Sequence, residues 1–276
     1  MLRTLFDRRD FIAASLAAGA GLLAPPLWSA PLQTDSEGLV ASDVMVPIQG
    51  GQIAAYSAYP DKGGPFSTIL VAHDLAGVNE HIKDVVRRLA KLGYYVLCPN
   101  LFSRQTDLGK NADMMDVMRM VVSKLIDAQI LSDLDSTVAF AKKTGKASVE
   151  RLGITGFGWG GRVVWLYAAH DAKVKAGVAW CGFLTAPRDP NGHSAISLAA
   201  EIKPAVLGLY AGNDDYIMSA DIEQMKFALK GKKSEIVEFP TVRHGFYADD
   251  DRNYYAKTAA DGWDRMQSWF RRNGVT

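Results

Sequence analysis

The chain carries almost no net charge: 31 Lys and Arg stand against 30 Asp and Glu over 276 residues, a formal +1 with the two signs mixed along the sequence. No basic field builds up anywhere of the kind that holds a polyanion, which argues against nucleic acid as a partner. Cysteine is equally scarce. Cys98 and Cys181 each sit in an apolar, strand-like run (YYVLCPN and VKAGVAWC), and they read as two buried reduced thiols in preference to a disulfide, which an oxidising compartment would allow; neither has the spacing of a metal site. Other metal signatures are missing too. There is no H-E-x-x-H, the acidic run Asp249-Asp250-Asp251 lacks a calcium-loop pattern and reads as a solvated loop, and His170 and His193 read as surface residues. No metal and no cofactor are expected. Repeats, low-complexity tracts and linkers are absent as well, so one domain is the default for a chain with 48% hydrophobic residues.

What is present begins with an unusual N-terminus. MLRTLFDRRDF is short and basic, IAASLAAGAGLLA is apolar with small residues, and PPLWSA precedes Pro31. This is the layout of an export signal, and Arg8-Arg9 followed by Asp10, Phe11 and Ile12 resembles the twin-arginine type, whose machinery carries folded proteins to the periplasm. The apolar run is shorter than the roughly 18 residues a membrane span needs. Residues 1–30 are therefore expected to be a removable signal and 31–276 the functional domain, with no stable membrane span afterwards.

Past the signal, residues 39–58 alternate in polarity around Gln49-Gly50-Gly51-Gln52, predicting an antiparallel hairpin. STILVAH, YYVLCPN, RLGITGF, VKAGVAW, AVLGLYA and SEIVEFP are continuous apolar or strand-like runs separated by helical patterns. These predict a mostly parallel sheet covered on both faces, an α/β fold with the hairpin at its N-terminal edge. NEHIKDVVRRLAKLG is one such helix, capped by Asn79, with Ile82, Val85, Val86 and Leu89 on its buried face. Residues 111–144 predict a long helical region in which Met114, Met115, Met118 and Met120 read as adaptable packing.

GFGWGG at residues 156–161 poses the functional question. Gly156, Gly158 and Gly161 satisfy the dinucleotide fingerprint G-x-G-x-x-G between a strand and a helix, but the acidic residue needed about 20 positions on is replaced by Ala179, Trp180, Cys181 and Gly182. The competing template is a nucleophile elbow, G-x-Nuc-x-G, with Gly158 in the nucleophile slot. An elbow requires an acid and then a histidine after later strands. Asp215 follows LGLYAGND and His244 follows VEFPTVR, in that order.

With these elements in place, the stretch HDLAGVNEHIKDVVRRLAKLGYYVLCPNLFSRQ, the elbow, AGNDD and HGF together resemble the dienelactone hydrolase family of α/β-hydrolases, from about residue 40 to the C-terminus. The resemblance implies an α/β-hydrolase fold and a small-molecule ester or lactone substrate. Asp215 would then orient the base His244, the backbone amides of Leu75 and Trp159 would form an oxyanion hole, and Asp74 would stand where a family glutamate contacts the resting nucleophile. Arg104 matches a family arginine that binds a substrate carboxylate, while a second such arginine is here Ala248. The family nucleophile is usually a cysteine, and this chain has Gly158. A glycine cannot attack a carbonyl, so the covalent route closes, Cys181 being only a weak substitute on the neighbouring strand. Two readings remain open. One is a weak or altered hydrolase using water, His244 and the acid; the other is a non-catalytic ligand-binding protein on the same fold.

Overall fold

Strands β1 (Leu39–Ile48) and β2 (Gly51–Pro60) form the predicted antiparallel hairpin, reversing at Gly50, whose φ of 84° lies where a side chain is disfavoured. This computed structural model describes residues 32–105, 116–185 and 192–276. The expected export signal at 1–30, Met114 and Met115 lie outside the described residues. Six further strands complete the sheet: β3 (Phe66–Ala72), β4 (Tyr95–Pro99), β5 (Ala147–Phe157), β6 (Ala176–Trp180), β7 (Ala205–Ala211) and β8 (Glu235–Phe239). Their order is β1-β2-β4-β3-β5-β6-β7-β8, antiparallel only where β2 meets β1 and β4.

The apolar runs read from the sequence are the central strands. Ile69, Leu70, Val71 and Ala72 of β3 and Ala176, Val178 and Ala179 of β6 are all buried, as expected where helices cover both faces. Those helices are α1 (Glu80–Lys91), α2 (Asp127–Lys143), α3 (Trp159–His170), α4 (Ser219–Ala228) and α5 (Ala256–Arg272). In α1 the Asn79 side chain accepts from the Ile82 amide at 2.9 Å, Glu80 sits in the first turn, and Arg88 and Lys91 in the last. Both ends therefore complement the helix dipole, while Ile82, Val85, Val86 and Leu89 are buried against the sheet. Burying each such side chain is worth roughly 1.5–3 kcal/mol.

The long helix expected over 111–144 is interrupted. Among the described residues a π-helical turn (Val117–Val121) and a 3₁₀ turn (Val122–Lys124) end at Leu125, whose ψ of 139° is extended, before α2 begins at Asp127. The break turns Leu125 into the core and sets Asp127 at the N-terminus of α2, where it binds Arg162 of α3 in a bidentate pair at 2.7 and 2.8 Å. Met118 packs against the core and Met120 is exposed.

Candidate active site

β5 runs into α3 through the GFGWGG segment, a sharp strand-to-helix turn. Gly158 has φ 52° and ψ −114°, a region costly for any residue with a Cβ. Its amide donates to the Trp180 carbonyl at 2.8 Å, and its carbonyl accepts from Gly161 at 3.0 Å. Gly160 is required for a different reason. A Cβ there would come within 2.5 Å of the His73 carbonyl oxygen and closer still to that of Ala72, because the first turn of α3 lies directly on the end of β3. The glycines thus permit close helix-to-strand packing and an elbow backbone.

A Cβ built on Gly158 would sit 3.6 Å from His244 Nε2, 3.3 Å from the Tyr247 hydroxyl and 3.7 Å from Asp74 Cβ. The slot for a nucleophile therefore faces the imidazole. His244 Nδ1 in turn bonds the Asp214 carboxylate at 2.8 Å. Asp214 rather than the expected Asp215 fills the acid position. The Asp214 side chain is fully buried, and its other oxygen accepts from the amides of Tyr216 at 2.8 Å and Ile217 at 3.1 Å. Asp215, one residue on, points the other way. Its side chain is 64% exposed and pairs with Arg243 at 3.3 Å. The tight turn after β7 closes on the first aspartate and leaves the second in solvent.

His73, at the end of β3, is buried, and burial pushes it down to about 4, so it is neutral near pH 7. Its Nε2 accepts from the Leu101 amide at 3.0 Å, which leaves Nδ1 to donate to the Asp74 carbonyl at 2.7 Å. The ring thereby fixes the loop carrying Asp74 and Leu75 against the end of β4. It also stacks on Trp159, with 5.8 Å between centroids. Neither the Leu75 amide nor that of Trp159, the first residue of α3, donates to a described residue, so both amides flanking the elbow are free donors. Asp74 accepts from the Ala76 amide at 2.9 Å. Burial raises its carboxyl to about 6, opposed by that bond and by the nearby His81 and His244.

Arg104 is engaged elsewhere. Its guanidinium holds Asp133 of α2 through Nε at 2.9 Å and Nη2 at 2.7 Å, and also reaches the Gln49 carbonyl in the hairpin turn. The expectation of a carboxylate clamp gives way to a structural clasp, since the bidentate edge that would bind an anion is occupied by Asp133. Cys181 follows β6 at φ 46°, fully buried, with its thiol raised by burial and by Asp214. A thiol in such surroundings stays protonated and is a poor nucleophile.

The acidic run is likewise only partly solvated. Asp249 is buried, accepting from His81 Nδ1 at 2.8 Å and pairing with Arg88, which also binds Asp84. This cluster fastens the loop after His244 to α1. Cys181, Asp214 and His244 form one group of potential metal donors, with ligand atoms within 4.8 Å of one another, and His81, Asp249 and Asp250 form a second. In each the histidine Nδ1 is already hydrogen-bonded to a carboxylate, which is the arrangement that fixes an imidazole tautomer without an ion. Two open surface grooves lie at the amino ends of strands β6 to β8, one lined by Glu235, Arg265 and Arg272, the other by Lys175, Lys203 and Lys233. The elbow is at the opposite, carboxyl end of the sheet, where open α/β sheets place their chemistry.

Comparison with known proteins agrees with this architecture. Residues 53–274 match the model of the dienelactone hydrolase family. A Methylorubrum extorquens protein named "Putative carboxymethylenebutenolidase" is 50% identical over 282 residues, covering 99% of this chain and 95% of that one. An Escherichia coli K12 protein of the same name is 39% identical over 267 residues, covering 95% and 98%. Among solved structures, one titled as a putative dienelactone hydrolase from Klebsiella pneumoniae aligns with a TM-score of 0.82 at 39% identity, covering 85% of this chain and 99% of its own. An elbow at the end of β5, a buried Asp214–His244 pair beyond β7 and β8, and matched relatives along nearly the whole length make one case: the chain belongs to the dienelactone hydrolase family.

Proposed function

We propose that the protein is an exported hydrolase of small esters or lactones in which water takes the place of the family's cysteine. The observation that carries this reading is the 3.6 Å between a Cβ position on Gly158 and His244 Nε2, which puts the base against the space a nucleophilic atom would use. A water in that space gives one proton to His244 Nε2 as its oxygen bonds to the substrate carbonyl carbon. The carbonyl π electrons move to oxygen, and the resulting oxyanion lies among the free amides of Leu75 and Trp159. Collapse expels the alkoxide, which takes the proton back from His244. Asp214 holds the imidazole with Nε2 as acceptor and stabilises the cation formed in between.

With Arg104 bound to Asp133 and Ala248 in place of a second arginine, neutral substrates fit better than carboxylate-bearing ones. Export by the twin-arginine route to the periplasm rests on Arg8-Arg9 and the short apolar run after them. The rate is expected to be modest, since oxyanion donors and binding alone leave about 10³-fold over water in triad hydrolases. Hydrolysis of a panel of activated esters and lactones by the protein and by His244→Ala tests the reading. His244-dependent turnover supports it. Gly158 itself favours a second reading, a ligand-binding protein without catalysis, in which His244→Ala changes ligand affinity and no turnover occurs.

A further inference from the structure

Water as nucleophile raises a problem of position that a cysteine does not have, because a thiol is tethered by its Cβ and a water is not. A free water has two protons and two lone pairs. One proton goes to His244 and one lone pair attacks the carbonyl, so a donor to the second lone pair is needed to hold the oxygen in place. The three atoms nearest the position a Cβ on Gly158 would occupy belong to Tyr247, His244 and Asp74. His244 must accept as the base, and an ionised Asp74 has no proton to give. Tyr247 is the remaining one, its hydroxyl 3.3 Å from that position.

Resting on the hydrolase reading above, we propose that Tyr247 is a catalytic residue, whose hydroxyl donates to the attacking water and orients it between His244 and the substrate carbonyl. The hydroxyl makes no hydrogen bond to any described residue and so is free to take this part. Its ring is held rigidly, with centroids 5.2 Å from Phe157, 5.7 Å from Phe246 and 5.9 Å from Trp180. The loop that bears it is pinned on either side, by Asn253 donating to the His244 carbonyl at 2.8 Å and by Asp249 bound to His81. Burial, with Asp74 nearby, keeps the phenol far above its ordinary range, so it serves as a donor throughout the working pH range and not as a nucleophile. It keeps its proton through the reaction.

The test is steady-state hydrolysis of the ester panel by the protein and by Tyr247→Phe, each also made in a Gly158→Cys background. Tyr247→Phe preserves the ring packing and removes one oxygen. The expected result is a fall in kcat of about 10- to 100-fold with KM changed by less than about threefold. In the Gly158→Cys background the attacking atom is tethered, so the loss on Tyr247→Phe should shrink about tenfold or more. Undiminished kcat in Tyr247→Phe, or equal losses in the two backgrounds, would overturn the role of Tyr247 while leaving the hydrolase reading standing. Absence of His244-dependent turnover in the unsubstituted protein overturns both.

Discussion

Replacing Asp214 and Asp215 separately, each by Asn, distinguishes the two adjacent acids by mechanism. Asp214 accepts three hydrogen bonds, from His244 Nδ1 and the amides of Tyr216 and Ile217, in a fully buried site. In Asp214→Asn one oxygen still serves the two amides, but an NH₂ group now faces His244 Nδ1. Two donors cannot share that contact, so the imidazole turns to the tautomer with Nε2 protonated and no longer accepts from the nucleophile. The same change in a serine protease triad costs about 10⁴ in kcat, and a loss of about 10²- to 10⁴-fold is expected here. The truncation Asp214→Ala also strands the amides, for a stability loss of about 2–4 kcal/mol. Asp215→Asn removes only an exposed 3.3 Å pair with Arg243, worth less than about 1 kcal/mol and under about threefold in rate. Ester hydrolysis and urea unfolding, measured on the three variants, read these quantities. A loss in Asp215→Asn as large as that in Asp214→Asn would refute the assignment.

Other perturbations have equally definite outcomes. His73 is neutral in the folded protein down to about 4 and titrates near 6.5 when unfolded, so the unfolded state binds more protons between those values and stability falls as pH drops through that window, by about 2–3 kcal/mol; urea midpoints at pH 7 and pH 4.5 check the sign. Asp74 behaves oppositely. Its carboxyl, raised to about 6, favours folding below about 3.8 and loses that contribution as pH rises through 6, so Asp74→Asn should stabilise the protein at pH 8 by about 1–2 kcal/mol and by little at pH 4. Gly160→Ala places a Cβ against the Ala72 and His73 carbonyls and should cost more than about 3 kcal/mol or prevent folding, read as soluble yield and thermal midpoint.

The parts of this fold that were legible in the sequence are those set by local chemistry. The hairpin follows from alternation around Gly50, α1 from its Asn79 cap and apolar face, and the central strands from runs too apolar to face water. The elbow was legible because its glycines meet a steric demand. Asp214 was not separated from Asp215, since two identical neighbours differ only in which one the turn folds over. A signal existed in the amides of Tyr216 and Ile217, two and three residues beyond Asp214, the spacing at which an aspartate closes its own turn. Tyr247 is not legible as a neighbour of the elbow, because HGFY does not reveal which aromatic ring faces it. The burial of Asp249 is not legible locally, because its partners His81 and Arg88 lie 168 and 161 positions away. The break at Leu125 is hidden from the sequence for a similar reason. Nothing local stops the helix, and the buried Asp127–Arg162 pair draws the chain aside.

The central claim is hydrolysis without a covalent acyl-enzyme, and the intact mass of the protein, acid-quenched during turnover of an activated ester, tests it most directly. The account predicts an unmodified mass while product accumulates, and an acyl adduct in Gly158→Cys under the same conditions. An acylated unsubstituted protein, with the adduct on Cys181, Tyr247 or any other side chain, would contradict it, as would an unmodified mass with no product formed.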